Sequence, residues 1–408
     1  MPTKFFCDIE SLVDTPGERV PGFLGRVESL RGLAALMVAI CHSQLVFVVD
    51  GHEDLWRLNI SHVQGLQAFA TKMLLIVFNG GAAVSLFFVI SGLVLGLSLD
   101  RQKDEILRSS VSFLLRRALR IYPALILSLL LVQAWLPLIY PAPDYVGASL
   151  MFQPLYRVPQ AADFFANLFF VSNQMNPVIW TLKIEMEVAL LLPILHLINR
   201  SIPPRGNMAV LALLMWLSTN GHDTSTEKWV FAFYLGLMLP EWGPWLVSAM
   251  RTSPAGLETC LGSSLVAFCA ARHLLYGTGY AVVTPFVEGI CAMTLLACVV
   301  YHPALKWWHV LDWKGIRALG RLSYSFYLFH FIVHYLVGVG LFRLVSTQAL
   351  SSYPTVWHGL LGIVSVALTV PLAVVSYRWV EKVFIELGKD LTRRIEVSFR
   401  RPMPEGIR

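Results

Sequence analysis

The sequence is short of charge. Of its 408 residues only 14% are Asp, Glu, Lys or Arg, against 56% hydrophobic, whereas a soluble domain carries about 25% charged residues. A chain so composed cannot cover a water-facing globule. Other absences narrow the field further. No basic, aromatic-interleaved surface accompanies the formal net charge of +6, which argues against nucleic acid as a partner. The six cysteines, Cys7, Cys41, Cys260, Cys269, Cys291 and Cys298, form no CxxC pair and join no His/Cys cluster of zinc spacing. Five lie in apolar runs and read as small buried hydrophobes. There is no GxSxG elbow of a hydrolase triad. Gly80-Gly81 opens no GxGxxG or Walker pattern, and helix packing through small residues accounts for it better. No segment repeats at a fixed period, and no long polar linker divides the chain.

What is present is apolar sequence in helix-length blocks, such as 33–49, 84–99, 121–136 and 360–375. A spanning helix needs about 20 mostly apolar residues, and lipid tolerates only closed backbone hydrogen bonding. The expected fold is an all-α polytopic bundle of about ten transmembrane helices. They are placed near 28–49, 74–99, 117–137, 178–199, 208–220, 229–248, 256–276, 281–302, 318–342 and 356–385, the fifth being short for a span. With the N-terminus inside, 25 of the 32 Lys and Arg fall in cytoplasmic segments, as the positive-inside rule requires, and both termini are then cytoplasmic. Residues 1–27, with Pro16, Gly17 and Pro21, read as a cytoplasmic lead-in without a cleavable signal peptide. Residues 28–385 form one membrane domain and 386–408 a basic tail. The cytoplasmic (inner) membrane is the expected location, with its lipids as surroundings. The longest external connection, 138–177, is rich in proline and carries the apolar run 164–171, which suits an interfacial helix or a lid.

Ionisable groups inside apolar helices are expensive and mark functional candidates. Arg31 sits where the first helix enters the membrane, and His42 lies 11 residues on, about 16 Å deeper and so near the midplane of a core about 30 Å thick. Imidazole is suited to proton transfer near neutral pH, so His42 could deprotonate an attacking hydroxyl, as against a histidine bonded across the bundle for packing. Arg116, Arg117 and Arg120 share a helix face at the entrance of the third helix. Guanidinium forks suit phosphate, while anchoring to anionic lipid is the bland alternative. In Trp180-Thr181-Leu182-Lys183-Ile184-Glu185, Glu185 can be drawn into the bundle to orient the histidine or an acceptor hydroxyl, whereas Glu187 suits a solvated helix end. Glu288 lies in mid-helix and needs a partner. His330 and His334 stand at i,i+4 with no third ligand evident, so no metal is expected. A transporter or flippase using His42 and Glu185 as a proton relay is the alternative of a different class. No inverted repeat supports it.

Taken in order, these segments resemble the acyltransferase type 3 family of membrane O-acyltransferases. Arg31 and His42 match its Arg-X10-His opening. Phe87-Phe88-Val89-Ile90-Ser91-Gly92 is similar to its Phe-Phe-Val-Leu-Ser-Gly, and Arg117-Ala118-Leu119-Arg120-Ile121-Tyr122-Pro123 to its Arg-X-X-Arg-Ile-X-Pro. Trp180 to Glu185 resembles Trp-Ser-Leu-X-X-Glu, with Thr181 for the serine. Gly320 to His330, including Ser323, Tyr324, Ser325 and Tyr327, is similar to Gly-X-X-Ser-Tyr-Ser-X-Tyr-Leu-X-His. Ser376-Tyr377-Arg378-Trp379-Val380-Glu381 resembles the closing segment, though Val383 stands for its proline. Val188-Ala189 replaces an aromatic pair usual after Glu185. The resemblance covers about residues 26–385. It implies an acyltransferase with no permanently bound cofactor that takes acyl-CoA, acetyl-CoA by default, as co-substrate from the cytoplasm. The acceptor implied is a carbohydrate or lipid-linked glycan presented toward the other face. His42 would be the base or a transient acyl carrier, and Arg31, Arg116, Arg117 and Arg120 would hold the donor phosphates. Glu185 would orient an acceptor or the imidazole, with Ser91, Trp180, Glu288, Tyr324 and His330 as further candidates.

Overall fold

The computed structural model describes residues 22–100, 106–139, 147–149, 160–251 and 254–400. The start of the expected lead-in, Arg101 and Lys103, four prolines of the external connection (Pro141, Pro143, Pro154 and Pro159) and the end of the tail lie outside them. Helices make up the described fold in the order α1 Gly22–Ser43, α2 Leu66–Val77, α3 Gly80–Asp100, α4 Ile106–Ile139, α5 Ala161–Leu168, α6 Trp180–Ser201 and α7 Pro204–Ser218. These are followed by α8 Val230–Met250, α9 Pro254–Leu275, α10 Thr284–Tyr301, α11 Lys314–Leu344, α12 Thr347–Ser352, α13 Pro354–Ser376 and α14 Lys382–Arg400. Among the described residues there is no strand, only the isolated bridges Phe47–Ala148 and Val49–His52.

Six of these helical stretches, Leu66–Asp100, Ser110–Trp135, Val230–Met250, Ala281–Tyr301, Lys314–Leu344 and Pro354–Ile395, are long and apolar enough to cross a membrane. The other four expected spans are also helical, as α1, α6, α7 and α9, but they are shorter or less apolar. Large apolar side chains such as Leu190, Ile194, Trp216, Val266 and Ile363 point outward and stay exposed. A soluble protein rarely shows so much apolar surface. The chain is a multi-pass, all-helical membrane protein.

Local chemistry explains the departures from the expected boundaries. The second span breaks into α2 and α3 at Asn79, whose Oδ1 accepts from Ala82 N at 3.1 Å and so caps the new helix. α1 starts near Gly22 and ends at Ser43, because the following residues turn over to bridge with residues 147–149. The apolar run of the external connection forms the short helix α5, packed on α4 through Tyr122 and Phe170 (ring centroids 5.9 Å apart). The expected tail is helical up to Arg400 and lies along α4, with Gly388 against the Arg116 backbone.

The pairing of α1 with α11 fixes the centre. Arg26 Nη2 meets Asp312 Oδ2 at 2.7 Å just before α11 begins, and Ser29 Oγ donates to Leu311 O at 2.6 Å. Hydrogen bonds from Arg26 and then Arg317 hold the Asp312 carboxyl down at about 2. One and a half turns further along α1, Gly32 and Gly320 let the two backbones touch: a Cβ on Gly32 would lie 2.5 Å from Gly320 N. Small residues permit such crossings in membranes. The two helices then run on in parallel.

Candidate active site

Ten residues beyond that crossing, about 15 Å up either helix, α1 carries His42 and α11 carries His330. Their register brings the rings together, with His42 Nδ1 2.9 Å from His330 Nε2 and the planes 12° apart. Phe331 meets His42 edge-on at 5.3 Å. His330 Nδ1 lies 2.5 Å from the carbonyl oxygen of Tyr327. A carbonyl only accepts, so this nitrogen carries the hydrogen, and a neutral His330 then offers the lone pair of Nε2. His42 Nδ1 must donate to it. By this assignment from the hydrogen-bond network, His42 Nε2 holds no proton and is free to take one. His42 keeps partial exposure, while His330 is wholly buried. His334, one turn on, donates from Nδ1 to His330 O at 2.6 Å.

Toward the Asp312 end lies a second cluster. Arg117 Nη2 forms an ion pair with Glu185 Oε2 at 2.8 Å, and Ser91 Oγ donates to Glu185 Oε1 at 2.9 Å. Arg31 feels the charges of Arg120, Glu185, Arg117 and Glu28. The helices α1, α3, α4 and α6 therefore each contribute a side chain to one polar site inside an apolar bundle. Glu381, buried in the π-turn Tyr377–Glu381, accepts from Ser325 Oγ at 3.0 Å and senses Arg120 and Arg31. Insertions of this kind in helices are frequent at functional sites. Tyr324 caps the α4 backbone, its hydroxyl donating to Ile121 O at 2.7 Å.

Of the residues expected from the sequence, Arg31, Arg117, Arg120, Glu185 and Ser91 thus come together, and His42 joins His330 at the next level. Glu185 pairs with Arg117 rather than with the imidazole. The Trp180 ring packs 6.1 Å from that of Trp229. The Arg116 backbone lies against Gly388 of α14, and Glu288 belongs to a separate buried network with Arg272 and Asn79. Glu187 bonds to Thr226 and stands 3.9 Å from Lys183, away from the site. Glu381 and Tyr327 were not anticipated as site residues, although both lie in the quoted motifs. A cleft of about 350 Å³ bordered by Asp100, His196, Arg200 and Glu241 lies at the far end of α3, away from His42.

A Bacillus subtilis (strain 168) protein named "Putative peptidoglycan O-acetyltransferase YrhL" is 26% identical over 372 residues, 82% of this chain and 56% of that protein. The chain thus spans only about half of that relative's length. "Nodulation protein 10" of Rhizobium leguminosarum bv. viciae is 27% identical over 350 residues, 77% of this chain and 85% of that protein. No solved structure matches. The model of the acyltransferase domain matches residues 24–377, from the foot of α1 into the π-turn, and on that match the chain belongs to the acyltransferase type 3 family.

Proposed function

We propose that this protein transfers an acyl group, acetyl by default, from cytoplasmic acyl-CoA to a hydroxyl of a carbohydrate acceptor, in a ten-span topology with both termini in the cytoplasm. The observation that carries the reading is the 2.9 Å contact of His42 Nδ1 with His330 Nε2, which by the tautomer assigned above leaves His42 Nε2 free to take a proton. In the proposed reaction His42 Nε2 takes the proton of the acceptor hydroxyl as its oxygen attacks the thioester carbonyl. The tetrahedral intermediate collapses with cleavage of the C–S bond, and the imidazolium returns its proton to the thiolate. Acylated acceptor and free CoA leave. His330 supports the cation through its Nε2 lone pair, as an orienting partner does for a catalytic histidine.

The donor side of the proposal rests on charge. Arg31, Arg117 and Arg120 stand in one cluster with Glu28, Glu185 and Glu381, and guanidinium forks there suit a phosphate-bearing substrate. The carbohydrate acceptor is suggested by the relative named as a peptidoglycan O-acetyltransferase.

The test is CoA release from acetyl-CoA with a sugar acceptor, using purified protein. His42→Ala should lower turnover by about 10²–10⁴-fold, the range of general acid–base catalysis, without loss of membrane insertion. His330→Ala, which leaves the base but frees its tautomer, should lower kcat less and leave the donor KM in place. Full turnover by a folded His42→Ala protein would refute the mechanism.

A further inference from the structure

The end of the bundle opposite Asp312 carries buried charge that the acyl-transfer site does not use. Beyond α1 the chain turns at Asp50 and Gly51, with φ of 48° and 81°, and residues 52–59 return across the top of α2, α3 and α9. This loop has no regular structure, and side chains from below hold it. Lys72, wholly buried, donates from Nζ to Leu55 O at 2.6 Å and to Leu58 O, and stands 3.5 Å from Trp56 O. Asn59 Nδ2 donates to Leu274 O at 2.7 Å and Tyr276 O at 3.0 Å. The Arg272 guanidinium lies 5.5 Å from the centroid of the Trp56 ring. It is fixed in turn by Glu288, at 3.1 and 2.9 Å, and Asn79 Nδ2 donates to the same carboxylate at 3.1 Å. Taking such ions out of water carries a desolvation penalty that pairing only offsets. Apolar packing would hold an idle loop at lower cost. Buried support of this kind is how a binding loop is held in one conformation ahead of its ligand.

The loop walls a cleft of about 340 Å³, together with Gln44, Glu53, Asp54, Trp56 and Ser149. Its lining sets hydrogen-bond acceptors, the Glu53 and Asp54 carboxylates and the Gln44 amide, beside the donor Arg57 and a flat aromatic ring. Sugars present the complement, hydroxyls that donate and a C–H face that packs on an indole. Gln44 is 3% exposed, and while its Nε2 donates to Ser43 Oγ at 3.0 Å, its Oε1 has no partner. An acceptor at the cleft wall is thus left without a donor. Gln44 stands two residues beyond His42, and Leu45 N donates to His42 O at 3.1 Å. The floor of the cleft therefore begins at the helix end that bears the base.

We infer that this cleft is the subsite for the acceptor saccharide. Trp56 stacks on a sugar ring, Glu53 and Asp54 accept its hydroxyls, and Gln44 accepts another beside the end of α1 that bears His42. The two carboxylates, with Arg57 only 3.8 Å from Asp54 to offset them, favour neutral or amino sugars over phosphorylated or uronic ones. The inference rests on the proposed function, in that it supplies the acceptor half of that reaction.

Isothermal titration of the purified full chain with chitotetraose and with maltotetraose, no donor present, tests it. One of the two should bind, and Trp56→Leu and Glu53→Gln should each weaken that binding about tenfold, or 1.4 kcal/mol. Glu53 is exposed, so its variant keeps the fold even if the tryptophan variant does not. Absence of binding by both sugars, or affinity unmoved by either substitution in folded protein, overturns the inference. His42-dependent CoA release is read separately. If that release stands while the cleft binds no sugar, only the subsite falls; if sugar binds but transfer ignores His42, only the reaction falls.

Discussion

An imidazole acts as a base only through a ring nitrogen that holds no proton, and its neighbour decides which nitrogen that is. Here the Tyr327 carbonyl fixes His330 and His330 fixes His42, so one backbone oxygen sets the tautomer of the proposed base two residues away in the relay. The arginines divide by the same logic of neighbours. Arg117 and Glu185 are 10% and 15% exposed and 2.8 Å apart. Removing one partner strands a buried charge, at about 3–5 kcal/mol. Arg117→Ala is therefore expected to lower thermal stability in detergent sharply, and Arg117→Ala with Glu185→Gln to recover much of the loss. Arg120→Ala should instead raise the acyl-CoA KM with little change in melting. An Arg117→Ala protein that melts with the wild type would show that the ion pair does not hold the fold.

Between residue and fold stands the register of α1 against α11. It is fixed at the foot by Arg26 and Asp312, at the crossing by Gly32 and Gly320, and one result of it is the meeting of His42 with His330. The crossing is the sensitive point. A Cβ on Gly320 would stand 2.5 Å from Glu28 O, and backbone cannot swing aside as a side chain does. Gly320→Val is expected to cost about 1–3 kcal/mol by overpacking. Forcing the helices apart also displaces the two imidazoles, and a misplacement of about 1 Å can cost about 10²-fold in rate. Gly315→Ala, on the same helix but with open space around it, is the control and should change neither. Thermal melts and CoA-release rates on both variants decide the matter; a Gly320→Val protein with unaltered rate would mean the histidine pair does not depend on this crossing.

At the scale of the whole molecule, the features legible in the sequence were those that depend on local spacing. Apolar blocks marked the helices, because a helix's length follows from rise per residue. Pairings across the chain were not legible. His330 is 288 residues from His42, and its i,i+4 spacing to His334, a metal-ligand spacing without a third ligand, gives no sign of a tautomer relay. Glu185, assigned from its helix to an imidazole or an acceptor, was claimed by Arg117 because α4 carries that arginine well inside the bundle rather than at its edge. Along the axis of α1 the arginine cluster comes first and the histidine pair next, and the chain just beyond lines the cleft at Trp56. If that axis crosses the membrane as proposed, donor and acceptor enter from opposite faces and neither need cross the lipid. Protein reconstituted in one orientation in liposomes should then acetylate an enclosed saccharide only when acetyl-CoA is supplied at the face bearing Asp312, since the impermeant donor reaches His42 from the arginine side alone. Equal transfer with donor and acceptor confined to the Trp56 face would show that the thioester reaches the base by another route and would break the axis at its first step.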